Sequence, residues 1–142
     1  MIGVDTSFLV QLELIELPAH QAAHALLRRE ILQPQIPLAL APQVLAEFIH
    51  VVTDPRRFQQ PLTADNAVTK ARFWWNAAEV QHHYPTDAST ALFLDWMQRH
   101  KLGRKRILDT QLAAIFWTAG VRQILTANPG DFQIFGFQTL VP

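Results

Sequence analysis

Apolar positions along the chain follow two rhythms. Short apolar runs at Ile2 to Val4 and Leu38 to Leu40 read as buried strands, Val121 to Ala127 as another, and Leu140-Val141 as the tail of a last one. Longer stretches carry apolar residues at helical spacing. Phe8, Leu9, Val10 and Leu12 begin a helix behind Thr6-Ser7, and Pro18 breaks it. His20 to Leu32 carries Ala22, Ala23, Leu26, Leu27 and Ile31 on one face, and Pro34 and Pro37 mark the following loop. Pro42 suits a first helical turn, Val44, Leu45, Phe48, Val51 and Val52 give that helix an apolar face, and Asp54-Pro55 ends it. Thr63 to Val80 and Thr86 to His100 predict two further helices, with a loop or short strand at residues 82–85. Asp109 to Ala119 is apolar and alanine-rich, and Gly120 stands where a helix C-terminus favours a left-handed residue. Asn128 to Asp131 reads as a turn. This alternation predicts an α/β fold with a parallel sheet covered on both faces.

Composition narrows the class. The 142 residues fit a single domain over 1–142, and 49% hydrophobic against 17% charged residues excludes a disordered tail. There is no cysteine, so a disulfide scaffold, a thiolate zinc site and a cysteine nucleophile are excluded. Twelve basic and twelve acidic residues sum to zero, which gives no sign of binding nucleic acid by bulk charge. No leader pattern opens the chain, and no apolar stretch approaches the roughly 20 residues that span a bilayer. A cytoplasmic protein without membrane contact is the expectation.

Three acids sit in apolar surroundings. Asp5 ends a hydrophobic strand, Glu47 lies between Ala46 and Phe48, and Asp109 follows Ile107-Leu108 at the head of the most apolar helix. A buried carboxylate is costly unless paired or bound to a metal. Glu13, Glu30 and Glu79 read as solvated. Each of the three has an ordinary reading when taken singly: a turn or cap at Asp5, a satisfied helix carboxylate at Glu47, an N-cap at Asp109. Together they occupy strand C-termini and helix N-termini, where parallel sheets place ligands. Asn128 and Asp131, after the Val121 to Ala127 strand, fit the same end of the sheet. Oxygen donors without cysteine point to Mg²⁺ or Mn²⁺, which would activate water and neutralise charge on a phosphoryl oxygen.

Several motifs, in order, resemble the PIN domain family, and within it the VapC toxins of bacterial toxin–antitoxin pairs. They are Val4-Asp5-Thr6-Ser7-Phe8-Leu9, Leu45-Ala46-Glu47-Phe48, Ile107 to Ala114 with Ala119-Gly120-Val121, and Leu125 to Phe132. Phe135 to Phe137 and Val141-Pro142 resemble the family's ending, so the likeness runs the length of the chain. The resemblance implies a three-layer α/β/α sandwich with a central, mainly parallel sheet and a metal-dependent ribonuclease centre. It places Asp5, Glu47 and Asp109 as metal ligands, with Asn128 or Asp131 completing the catalytic set, and Thr6 and Thr126 in support by hydrogen bonding. Asn128 stands where many relatives have aspartate, which lowers the negative charge by one. The resemblance further implies an RNA substrate, a VapB-like antitoxin partner that occludes the metal site, and a toxin homodimer. A catalytically weak RNA- or protein-binding module, or a PIN nuclease of RNA maturation, are the alternatives.

Basic residues flank the acids in sequence. Arg99, Lys101, Arg104, Lys105 and Arg106 lead into Asp109, and Arg56-Arg57 follow the helix of Glu47. Arg56, Arg57, Arg104, Lys105 and Arg106 are the candidates for holding RNA phosphates, with a solvated loop as the ordinary alternative. His82, His83 and His100 read as surface or satisfied histidines without a catalytic role. Of Trp74 and Trp75, at least one is expected in the core, because adjacent helical positions point about 100° apart. Phe8, Leu9 and Leu12, with the helix before Pro34, are candidates for an apolar groove beside the first strand, where the resemblance implies that an antitoxin segment lies.

Overall fold

The computed structural model describes residues 1–142. Its centre is a five-stranded sheet in the order β3-β2-β1-β4-β5, with every neighbouring pair parallel. The strands are β1 (Ile2–Val4), β2 (Leu38–Leu40), β3 (Val80–His82), β4 (Gln123–Leu125) and β5 (Gln138–Leu140). The helices are α1 (Thr6–Glu13), α2 (His20–Leu27), α3 (Pro42–Val52), α4 (Ala64–Trp75), α5 (Asp87–Arg99), α6 (Ile107–Thr118) and the single turn α7 (Gly130–Gln133). Thus the expected α/β fold with a parallel sheet is present.

Differences from the sequence reading are local. The helix expected over Thr63 to Val80 ends at Trp75, and Val80 instead starts β3 at the sheet edge. Its N-terminus is as expected, with the Thr63 side chain accepting from the Asn66 N–H. The α2 helix loosens into a π turn over Arg28–Leu32. The strand expected over Val121 to Ala127 is confined to Gln123–Leu125, and the Asn128 to Asp131 turn runs into α7.

Helix ends follow the local chemistry. Thr86 and Ser89 form a reciprocal capping box on α5. Gly120 takes φ +88°, and the N–H groups of Gly120 and Val121 donate back to the carbonyls of Trp117 and Phe116. This closes α6 and turns the chain into β4.

The core is one cluster of 33 buried apolar residues. Phe8, Phe48, Phe116 and Phe132 are fully buried. Each such side chain contributes roughly 1.5–3 kcal/mol by leaving water. Phe8, Leu9 and Leu12 belong to this core, so they do not form the surface groove expected of them. Trp74 is buried and Trp75 half-buried, as their spacing requires. Glu13, expected in solvent, instead accepts from Lys70 Nζ at 2.6 Å and Trp74 Nε1 at 2.8 Å, tying α1 to α4. No helix is long and apolar enough to cross a membrane.

Two features bring the three acids toward one place by geometry. Strand order reverses between β1 and β4, whose residues Gly3 and Val4 face Ile124 and Leu125. Such a switch point opens a crevice beyond the carboxyl ends of the strands. Gly3 also lets α6 approach closely, since a Cβ there would lie 2.7 Å from the Phe116 ring.

Candidate active site at the carboxyl end of the sheet

Asp5 is the residue immediately after β1, at the switch point. It stands in the N-cap position of α1, yet its side chain caps nothing. It is only 4% exposed. Oδ2 accepts from the Ser7 hydroxyl at 2.5 Å and from the Thr126 hydroxyl at 2.9 Å. Those hydroxyls in turn accept from backbone: Ser7 Oγ from the Ala127 N–H at 2.9 Å, and Thr126 Oγ1 from the Asn128 N–H at 2.9 Å. Each hydroxyl has one proton and gives it to Asp5. One carboxylate oxygen is thereby fixed, and the other is left outside this network. Burial raises the Asp5 pKa despite the two hydroxyls.

Glu47 lies in the second turn of α3 and is half-buried. Burial, with the nearby Asp5 charge, raises its pKa against the opposing pull of the Thr6 hydroxyl, His50 and Arg57. Asp109 lies in the first turn of α6. Burial raises its pKa to about 7, and Asp5, Asp131 and Glu47 add to the rise while Arg106 opposes it. The N-terminal end of a helix favours a carboxylate anion, so the surroundings override that preference. Asp109 is not the N-cap of α6, which is Arg106. The first turns of α3 and α6 are tied by Gln43 Nε2, which donates to the Leu108 carbonyl at 3.0 Å.

Asp5, Glu47 and Asp109 therefore come from three different elements into one electrostatic neighbourhood. No group of three or more histidine, aspartate or glutamate side chains stands close enough to hold an ion as it is. In kind, the donors fit a hard divalent cation: carboxylates, hydroxyls and an amide, with no soft ligand. A cation among them would offset the repulsion that adds to the effect of burial at Glu47 and Asp109.

The remaining candidates divide. Asn128 lines a cleft of ≈ 260 Å³ shared with Thr6, Ser7, Glu47 and Arg57. Asp131, on α7, is held by Arg106, whose Nε lies 3.4 Å from Oδ1 and whose Nη2 donates to the Asp131 carbonyl at 2.8 Å. Arg106 is thus engaged inside the protein, whereas sequence reading placed it with the free phosphate-binding residues. Arg104 and Lys105, in the 3₁₀ turn before α6, are exposed. Arg56 and Arg57 are exposed and lie 3.3 and 3.6 Å from the Asp54 carboxylate. Thr126 serves Asp5 as expected. The Thr6 hydroxyl donates to the Val44 carbonyl at 3.5 Å on the helix of Glu47, and the second hydroxyl on Asp5 belongs to Ser7, which sequence reading missed. Its signal was a small hydroxyl residue two positions after the buried acid. His82, expected at the surface, is exposed and stacks on Trp75 with ring centroids 3.5 Å apart.

No family model matches the chain, and no curated protein matches it in sequence. Solved structures do match. The Mycobacterium tuberculosis toxin VapC20, described as cleaving the sarcin-ricin loop, is 22% identical over 100% of both chains with a TM-score of 0.78. A chain of VapBC-1 from nontypeable Haemophilus influenzae is 17% identical, with 99% of this chain and 98% of that one covered and a TM-score of 0.68. A chain of VapBC2 from Rickettsia felis, solved with a promoter DNA fragment, is 13% identical, with 100% and 99% covered and a TM-score of 0.66. The protein has the PIN-domain fold of the VapC toxins.

Proposed function

We propose that this chain is a VapC-like toxin, an endoribonuclease that depends on Mg²⁺ or Mn²⁺. The observation that carries the reading is the meeting of Asp5, Glu47 and Asp109 at the switch point, with Asp109 pushed up to about 7 by burial and its acidic neighbours. Perturbed acids in a crevice are a mark of functional sites. The full-length likeness to VapC20 supports the substrate class.

Asp5, Glu47 and Asp109 would hold the cation, with Asn128 or Asp131 completing the set. When bound, it would supply a nucleophile from water and neutralise charge on the phosphoryl group. Ser7 and Thr126 orient Asp5 through Oδ2. Arg106 restrains Asp131 and offsets the negative charge around Asp109. The exposed Arg56, Arg57, Arg104 and Lys105 would meet RNA phosphates. A VapB-like antitoxin, a homodimeric toxin and a cytoplasmic location complete the proposal, in keeping with the VapBC assemblies that share the fold.

Expression without an antitoxin tests it. Wild type should arrest growth and degrade RNA, and Asp5→Ala should do neither. Equal growth and equal RNA integrity in both would sink the reading. A second reading, a binding module with weak or no catalysis, is favoured by the open arrangement of the acids and by Asn128. Mn²⁺ titration separates the two: no saturable binding, with RNA affinity intact, selects the module.

A further inference from the structure

Beside the acids lies a cleft that shares Glu47 and Asn128 with the proposed metal site and adds Gln11, Arg57 and Phe58, which that site does not use. Its walls carry Gln11 from α1, Glu47 from α3, Arg57 and Phe58 from the α3–α4 loop, and Asn128 from beyond β4. At ≈ 260 Å³ it is slightly smaller than the roughly 300–1,000 Å³ of drug-sized pockets, which suits one planar ring. Gln11 is the telling residue. Its amide makes no hydrogen bond within the chain, and Oε1, buried without a partner, would meet a ligand once the side chain turns toward the cleft that Gln11 lines. A buried acceptor without a donor is uncommon and unfavourable. A primary amide presents an acceptor and a donor side by side, whichever way it is turned, and that pair matches the edge of a nucleobase.

The loop bearing Arg57 and Phe58 is held in place. The Glu16 carboxylate accepts from the N–H groups of both Gln59 and Gln60, at 3.1 and 2.9 Å. Asp54 accepts from the Arg56 N–H at 2.9 Å and closes the other end of the loop. The Phe58 ring is thus fixed on the cleft wall with its body packed against the core. Arg57 stays exposed at the rim, where a phosphate would lie. An aromatic face, an unsatisfied amide and a cation are together the elements by which proteins take up an unpaired base of single-stranded RNA.

We propose that this cleft is a base-recognition subsite, in which Gln11 reads the edge of one unpaired RNA base beside the scissile phosphate and Phe58 supports its face. The inference rests on the ribonuclease reading and adds a determinant of which sequence is cut. Gln11 is a specificity residue here and touches no reacting atom.

The test uses the full chain, isotope-labelled for NMR and without divalent cation, titrated with each of the four ribonucleoside 5′-monophosphates. The Gln11 amide and Phe58 ring signals should shift saturably, with at least a threefold spread in apparent affinity among the four bases. Gln11→Leu should bring the four within twofold while leaving the spectrum folded. Phe58→Leu should weaken all four together. In cleavage, Gln11→Leu should broaden the base preference next to the cut. Absent shifts, equal affinities in the wild type, or an unchanged spread in Gln11→Leu would overturn the subsite. So would shifts caused by a short capped peptide of apolar and basic residues but by no nucleotide, which would make the cleft a protein groove. Loss of the ribonuclease reading shows separately, as RNA left intact by wild type and Asp5→Ala alike.

Discussion

The hydroxyls of Ser7 and Thr126, which are 119 residues apart in sequence, lie 3.2 Å apart and converge on the same oxygen of Asp5. One belongs to the first turn of α1 and the other to the residue after β4. Together they stitch the ends of the two strands at the switch point and hold the carboxylate by one oxygen. Ser7→Ala leaves the Ala127 N–H and one bond to Asp5 unsatisfied. The expected cost is about 1–3 kcal/mol in denaturant unfolding. Metal affinity or RNA cleavage should fall roughly 10–100-fold, as for other groups that orient a ligand. Thr6→Ala, whose hydroxyl donates to the Val44 carbonyl, should leave the Asp5 anchor intact and cost less in both measurements.

Stability of the metal-free protein should fall as pH rises from about 5 to 8. Asp109 is raised from 3.8 to about 7, and Asp5 and Glu47 are also raised. Between the unfolded and folded pKa values the native state holds more protons than the unfolded one, so raising the pH favours unfolding. The Asp109 part alone is on the order of a few kcal/mol before solvent screening reduces it. Asp109→Asn removes one of these raised acids, so its melting temperature should exceed that of wild type at pH 8 and differ little at pH 5. Added Mn²⁺ should stabilise wild type more at pH 8 than at pH 5 and Asp109→Asn much less, because deprotonated carboxylates bind the ion. Melting curves across pH, with and without Mn²⁺, check all three outcomes.

The basic residues should separate into two classes. Arg104 and Lys105 are exposed, so changing both to Ala should weaken RNA binding, flatten its salt dependence by about one contact each, and leave stability within about 0.5 kcal/mol. Arg106 is held by Asp131, so Arg106→Ala should loosen α7 and lower the melting temperature as well as activity. Binding measured from low to high salt, alongside thermal unfolding, distinguishes the two.

Gly3→Ala should be strongly destabilising for so small a change. Its Cβ would meet Phe116 at 2.7 Å, and the ring belongs to a helix packed over the sheet. Overpacking of this kind costs about 1–3 kcal/mol. Phe116→Leu in the same chain should recover part of the loss, read as a shift in the denaturation midpoint.

Much of the sheet's pattern is legible in the sequence because β1, β2 and β4 are buried runs. Strand β3 is not, since it lies at the edge with Gln81 and His82 exposed, and no proline or glycine separates it from α4. The place of Phe8, Leu9 and Leu12 is hidden for another reason: periodicity marks an apolar face without saying whether anything covers it. Glu13 looks solvated because its partners Lys70 and Trp74 lie 57 and 61 residues away. The acids Asp5, Glu47 and Asp109 stand out because charge in an apolar stretch is costly. Arg106 gives no such signal, since a basic run reads the same whether it meets solvent or Asp131.

The tight contact at Gly3 has a consequence for the acids themselves. The strand that ends in Asp5 and the helix that begins near Asp109 touch through a bare Cα and an aromatic ring. The gap between the two carboxylates is therefore set two residues before Asp5 and seven after Asp109, by a missing methyl group. Selection on the reach of the metal site would act on core packing there, and a variant could lose the site with every acid still in place.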